Sequence, residues 1–188
     1  QWFNKQNTKL QSIKNKQHFG KKTTNRQKAI ARDRNNKVND YMNKAAHKVI
    51  DDCIANDIGT LIVGYNETFY RTSYSCKENN QNFVPIPYGR LREKLEYLCE
   101  RNGIIFIKQE ESYTSKADIT MNDYLPTYGK DDNNATFSGA RITRGLYRCA
   151  DGTLLNADCN AAANIMRKAI PDIWKDTSDY TFLSLIHI

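Results

Sequence analysis

The chain is predicted to be an α/β protein with parallel strands, and three observations carry this. Two short, continuous apolar runs, Thr60–Tyr65 and Ile104–Ile107, are rich in β-branched residues and too short for helices, so they read as buried strands. Each follows a stretch whose apolar residues recur at helical spacing. The order helix, strand, helix, strand then lays the two strands side by side in one direction, the chain returning through the intervening helix.

Taken in order, residues 1–28 are polar and rich in Lys, Gln and Asn, and read as a helix followed by an exposed connector around Gly20. Residues 29–56 form one long amphipathic helix: Val38, Met42, Ala45, Ala46, Val49, Ile50, Cys53 and Ile54 recur at steps of three and four, while Lys37, Asp40, Lys44 and Lys48 fall off that stripe. Asn56 and Gly59 supply its stop. After the first strand a polar segment runs to Lys77–Asn82, and Pro85 and Pro87 precede a second amphipathic helix over 88–102. Its stripe is Leu91, Leu95, Leu98 and Cys99, and Asn102-Gly103 ends it before the second strand. Residues 117–148 show little periodicity and read as irregular, with a loop tip at Lys130–Asn134. Helix returns over 160–169, with Asn160 as its cap, Ala161, Ala162, Ile165 and Met166 on its inner face, and Pro171 as its end. No internal repeat is visible.

Of the 188 residues, 39% are apolar and 26% charged, enough for one ordinary domain. No apolar run approaches the roughly 18 residues that a membrane-spanning helix needs. The five cysteines are scattered without a Cys-x-x-Cys pair, which argues against a disulfide framework and for a reducing, cytoplasmic setting. The net charge of +7 is unevenly placed: residues 1–50 carry 13 Lys/Arg against 2 Asp/Glu, and the rest carry 15 against 19. A basic block beside a carboxylate-bearing one suits a protein that grips a nucleic-acid backbone; the alternative is a solvated helix face.

Two places hold carboxylates in arrangements that matter to chemistry. Asp158 stands just ahead of the apolar run 160–169, and Glu110-Glu111 follows the second strand. Metal-assisted phosphodiester cleavage needs several carboxylates converging within about 4 Å of each ion, and Mg²⁺ favours hard oxygen ligands. In an open α/β sheet such groups gather beyond the strand ends. Adjacent side chains on extended backbone point to opposite faces, so only one of the two glutamates reaches a shared site; Glu111 is the first candidate and Glu110 the second. The plainer readings are a helix-cap aspartate and a solvated glutamate pair. Arg141, Arg144, Tyr147 and Arg148 interleave basic and aromatic residues, a pattern that holds phosphates and stacks bases, or else an ordinary charged edge strand.

Several strings, in order, resemble one family. They are Tyr65-Asn66, Asn79-Asn80-Gln81-Asn82-Phe83-Val84-x-Ile86-Pro87, Glu111-Ser112-Tyr113-Thr114-Ser115-Lys116, Phe137-Ser138-Gly139-x-Arg141-Ile142-x-Arg144-Gly145-Leu146-Tyr147-Arg148 and Asn156-Ala157-Asp158-x-Asn160-Ala161-Ala162-x-Asn164-Ile165. Over residues 26–168 the chain is similar to the RuvC half of OrfB/TnpB transposon proteins, RNA-guided relatives of type V CRISPR effectors. The resemblance implies a partial RNase H-like (RuvC) fold with long helices. It also implies an RNA-guided, Mg²⁺-dependent DNA endonuclease of DNA transposition, with DNA and guide RNA as partners and a bacterial, nucleoid-associated location. By resemblance, Glu111 (or Glu110) and Asp158 are two of three metal-binding carboxylates. Many relatives carry the middle Glu on the preceding strand, where this chain has Gly64; one branch moves it to the Glu-Ser-Tyr-Thr-Ser segment. Lys37, Lys44 and Lys48 would lie along RNA or the RNA–DNA duplex by backbone charge rather than sequence.

Two departures qualify the resemblance. The family usually inserts a four-cysteine zinc ribbon before the final Asp, and zinc needs four S/N ligands; after Lys116 this chain reads Ala117-Asp118-Ile119-Thr120-Met121, and only Cys149 remains beyond, with Gly152 where a second ligand would fall. A degenerate, target nucleic-acid-binding ribbon segment without zinc is expected over 117–150. Nothing before residue 29 has strand character, and Asp33 in Ala31-Arg32-Asp33-Arg34 lacks an apolar strand around it, so the opening carboxylate is not found. The expected organisation is a basic lead-in (1–28), a RuvC-like part (29–116), the insert (117–150), the final motif and helix (151–170) and a tail (171–188). The tail's last six residues, Leu183–Ile188, read as a translated sequencing adaptor and are left out of fold reasoning. With no initiator Met, the chain reads as the C-terminal part of a longer protein, inactive alone; a nuclease-dead nucleic-acid-binding regulator or a non-functional remnant of the family is the alternative.

Overall fold

The computed structural model describes residues 2–17, 20, 22–66, 87–131 and 135–175. The expected strings over 67–86 and the tail beyond 175 lie outside the described residues. The chain divides into two units, the first made of Gln1–Gly59 and Tyr70–Ile105, the second of Thr60–Phe69 and Phe106–Ile188.

The first unit is helical. α1 (Trp2–Lys16) and α2 (Asn25–Ala55) are joined at the start of α2 by a capping box, in which Thr24 and Gln27 satisfy each other's backbone N–H groups. That cap starts α2 four residues earlier than the apolar stripe suggested. Gln27 is buried, and its side-chain amide also donates to Asn7 and Gln11 of α1 at 3.3 Å each. α2 packs on α3 (Tyr88–Arg101). The core is the predicted stripe, Met42, Ala46, Ile50 and Cys53 against Leu95, Leu98 and Cys99. Ile54 is the exception, 56% exposed on the last turn of α2.

Both helices end alike. Ile58 N–H reaches back to Cys53 O at 2.8 Å, and Ile104 N–H to Cys99 O at 2.9 Å, the wide closing bond of a Schellman turn. The turn needs one left-handed residue: Gly103 (φ +71°) serves the second, but Asp57 (φ +54°), not Gly59, serves the first.

The second unit holds the strands. β1 (Thr60–Tyr65) pairs with β2 (Ile105–Glu110). Ile105 N–H donates to Gly59 O and Glu111 N–H to Tyr65 O, so both strands advance in the same sense and the pair is parallel. The mixed helix–strand expectation therefore holds. The stretch read as irregular contains β3 (Ala140–Thr143) and β4 (Leu146–Arg148), which join β5 (Leu154–Asn156) in an antiparallel sheet of order β3-β4-β5. Its strands are only three or four residues long and β3 is exposed throughout, so no period marks it in the sequence. α4 (Ala157–Ala169) follows and buries Ala157, Asn160, Ala163 and Asn164, not the face expected from its apolar residues. The core here is Ile119, Tyr147, Cys149, Leu155, Ala157 and Ala163, with Trp174 packed on it.

Candidate active site and nucleic-acid-facing residues

β2 delivers Glu110 and Glu111 to one end of the parallel pair, and the chain then turns sharply. Thr114 closes the turn by donating its N–H (3.3 Å) and hydroxyl (2.9 Å) to Glu111 O. Tyr113 takes the left-handed region (φ +64°), uncommon for a bulky side chain, and stacks on Phe137 with ring centroids 5.8 Å apart. This turn lays the Glu111 side chain over β1. A Cβ built on Gly64 would lie 2.6 Å from Glu111 Oε2 and 2.8 Å from Ile165 Cδ1 of α4. A side chain at position 64 would have to displace the ends of both, so the Glu111 carboxylate occupies the space that it would fill.

Glu110 is spent differently. Its Oε2 takes a 2.6 Å ion pair from Lys168, whose side chain is 11% exposed, and its Oε1 accepts from the Ser112 N–H (2.6 Å) and hydroxyl. Lys168 also donates to Ser112 O and Pro126 O. Burial alone would raise the Glu110 carboxyl, but the Lys168 and Ser112 hydrogen bonds outweigh it and hold the group below its usual value. Glu110 thus pins the turn to α4.

Asp158 sits in the first turn of α4. The cap is Asn156, whose side-chain oxygen accepts from the N–H groups of Asp158 and Cys159 at 2.9 and 3.1 Å. Asn160, expected as the cap, lies inside the helix, fully buried; its side chain exchanges hydrogen bonds with Ala117 O and Ile119 N–H. Asn164 donates to Thr114 O and Ala117 O. These two asparagines lace α4 to the segment that follows Glu111, a role their spacing from that segment hides in the sequence. Relieved of capping, the Asp158 carboxylate is 83% exposed and pairs with Arg141 Nη2 at 3.0 Å.

The basic candidates fare unevenly. Arg141, Arg144 and Arg148 are exposed on the β3–β4 hairpin. Tyr147 is corrected: it is wholly buried, its hydroxyl donating to Lys116 O at 2.8 Å, and has no face to offer a base. In the first unit, Lys37 lies 5.8 Å from the Trp2 ring, Lys44 pairs with Asp40 at 2.8 Å and Lys48 with Asp52 at 2.6 Å. Asp33 lies exposed within α2, not on a strand.

Within residues 117–150, where a ribbon segment without zinc is expected, a hydrogen-bond network runs. Asp118, fully buried, accepts from Thr120 N–H and hydroxyl (2.9 and 2.7 Å) and from Ala150 N–H (2.8 Å). Asp123 accepts from Asp118 N–H (2.8 Å) and from Ser138 N–H and hydroxyl (2.9 and 2.6 Å). Burial and the Asp118 carboxylate push the Cys149 thiol up to about 12, so it stays protonated. One cysteine beside carboxylates already committed to hydrogen bonds does not supply the four S/N ligands of a structural zinc. For Mg²⁺, no three His, Cys, Asp or Glu side chains gather as a metal-ligating group among the described residues, and Asp158 faces a guanidinium. These residues alone do not fit a complete Mg²⁺ site. No helix of the described residues is long and apolar enough to cross a membrane.

The parallel strand pair and α4 define an α/β fold in which Glu110 pairs with Lys168 and Glu111 shares the space over Gly64 with Ile165, both in the later half of α4, while Asp158 stands in its first turn against Arg141. Comparison with known proteins narrows the class. Residues 1–69 match the OrfB_IS605 family model, described as a probable transposase, and residues 88–165 match a model for the Cas12f1-like TNB domain. A search of curated proteins finds no match. Among solved structures, the chain is similar to the protein in the cryo-EM structure of a Cas12f1–sgRNA–target DNA complex, with a TM-score of 0.57 and 22% identity over 89% of this chain and 41% of that one. At that identity the likeness is one of fold, and this chain spans about two fifths of that protein's length. The chain belongs to the OrfB/TnpB family of transposon proteins.

Proposed function

We propose that this chain is the RuvC-like part of an RNA-guided, metal-dependent DNA endonuclease that acts in transposition, and that Glu111 and Asp158 are the carboxylates it contributes. The observation that carries this is the position of Glu111. Its carboxylate fills the space above Gly64, on the strand where relatives bear their Glu, and shares that space with Ile165 of α4, the helix whose first turn carries Asp158. Two carboxylates do not complete a metal site, so the reading requires a further ligand beyond the described residues. The partners are DNA and a guide RNA, in keeping with the complex in which the similar Cas12f1 fold was solved. Arg141, Arg144 and Arg148 are exposed cations of the β3–β4 hairpin that could meet a phosphate backbone, and Arg141 pairs with Asp158. Glu110 is assigned to holding the turn. The β3-β4-β5 sheet is read as the ribbon segment held together without zinc. A cytoplasmic, nucleoid-associated setting follows from the partners.

The test is cleavage by the complete gene product with its RNA. Glu111→Gln and Asp158→Asn each lower Mg²⁺-dependent cleavage of a matched target by at least about a hundredfold, a loss typical of removing one group that acts on developing charge, while RNA binding is retained. Cleavage at the unmodified rate by either variant refutes the assignment. A complete product that binds RNA and DNA and never cuts supports a nuclease-dead regulator instead.

A further inference from the structure

The Asp158 carboxylate is not held by the fold. It takes no part in capping α4, is 83% exposed, and is engaged by Arg141. Arg141 in turn is fixed: its Nε donates to Arg144 O at 3.0 Å and its Nη2 to the same carbonyl and to Asp158 Oδ1. A guanidinium pre-set by its own hairpin loses little freedom in making a second bond, and its planar fork suits a phosphate as well as a carboxylate. The pair is exposed to water, so it is worth only a few-fold in an equilibrium and yields readily to a competing anion.

We propose that Arg141 latches Asp158 until a nucleic-acid backbone takes the guanidinium, so that the Asp158 carboxylate is released only when the nucleic acid is in place. This rests on the reading of Asp158 as a site carboxylate and of nucleic acid as the partner, and it adds how the two are coupled. Phosphate and Asp158 compete for one guanidinium, so nucleic acid and the latch exclude each other. By reciprocity, whatever removes the carboxylate from Arg141 strengthens backbone binding by the same factor that backbone binding loosens the latch.

A double-mutant cycle tests it on the chain as it stands. Binding of a fluorescently labelled single-stranded DNA oligonucleotide is measured by anisotropy in EDTA for the unmodified chain, Arg141→Gln, Asp158→Asn and the double variant, with circular dichroism melts to check folding. Asp158→Asn is expected to tighten binding about two- to fivefold in the unmodified background and to have a clearly smaller effect in the Arg141→Gln background. Asp158→Ser repeats the cycle with a different side chain. An equal change in both backgrounds is general charge removal and overturns the latch, leaving the nucleic-acid reading intact. No binding by the unmodified chain overturns both.

Discussion

Glu110 and Glu111 leave β2 as neighbours on opposite sides of the chain, and their surroundings divide the work between them. Lys168 and Ser112 hold the Glu110 carboxyl below the ordinary glutamate value near 4.5. A folded value below the unfolded one means the carboxylate stabilises the fold fully above about pH 5 and loses that contribution as pH falls through the folded value. Glu110→Gln is therefore expected to lower stability by about 1–3 kcal/mol at pH 7. The gap between the variant and the unmodified chain should close toward pH 3 in thermal melts; a pH-independent gap would count against the pairing. Asp118 makes the second residue-scale case. Its carboxylate joins the Thr120 and Ala150 amides beside a protonated Cys149. Asp118→Ala removes the acceptor of these part-buried donors from a fully buried position, at a cost of about 1–3 kcal/mol, whereas EDTA or added zinc should leave the melting temperature of the unmodified chain unchanged. A zinc-dependent rise in melting temperature would reverse this account of the segment.

At the scale of elements, periodicity was enough for α2 and α3, whose stripes bury against each other, and it located the two apolar strands, although these are half-buried rather than buried, with Ile105 62% exposed. It was not enough for β3, β4 and β5, whose three or four residues are too few to show alternation and whose first strand is wholly exposed. α4 shows a different limit. Asn156 and Asn160 are equally good caps by residue type, and only a partner some forty residues back in the chain, Ala117, makes Asn160 an interior residue. The same long-range bonds turn the polar Asn160–Asn164 edge inward and leave Ala162 exposed. Urea denaturation separates the roles. Asn156→Ala should cost about 1 kcal/mol as a lost cap, Asn160→Ala about 1–3 kcal/mol through stranded backbone groups, and Ala162→Ser within about 0.5 kcal/mol as a surface change. Equal costs at Asn160 and Ala162 would contradict the assigned face. Of the candidate site, the carboxylates and the exposed arginines could be read from the chain; the spending of Glu110 on Lys168 and the burial of Tyr147 could not, since both depend on contacts distant in sequence.

For the whole molecule, the basic first fifty residues and the acidic remainder match a division between gripping a polyanion and presenting carboxylates to it. The first unit's Lys44 and Lys48 sit in intrahelical ion pairs, so phosphate contact there must displace Asp40 and Asp52. The second unit holds both Glu111, over the β1 strand, and Asp158, in the first turn of α4. The central claim is that Glu111 supplies, from the turn after β2, the carboxylate that relatives supply from the strand position of Gly64. It is tested most directly by moving the carboxylate back. In the complete protein, Glu111→Gly should abolish target cleavage. Adding Gly64→Glu to that variant should restore a measurable part of it, because losing the Glu111 side chain clears the space and only the flexible end of Ile165 need shift. Failure of the exchanged variant to cut, with its fold and RNA binding intact, would contradict the claim.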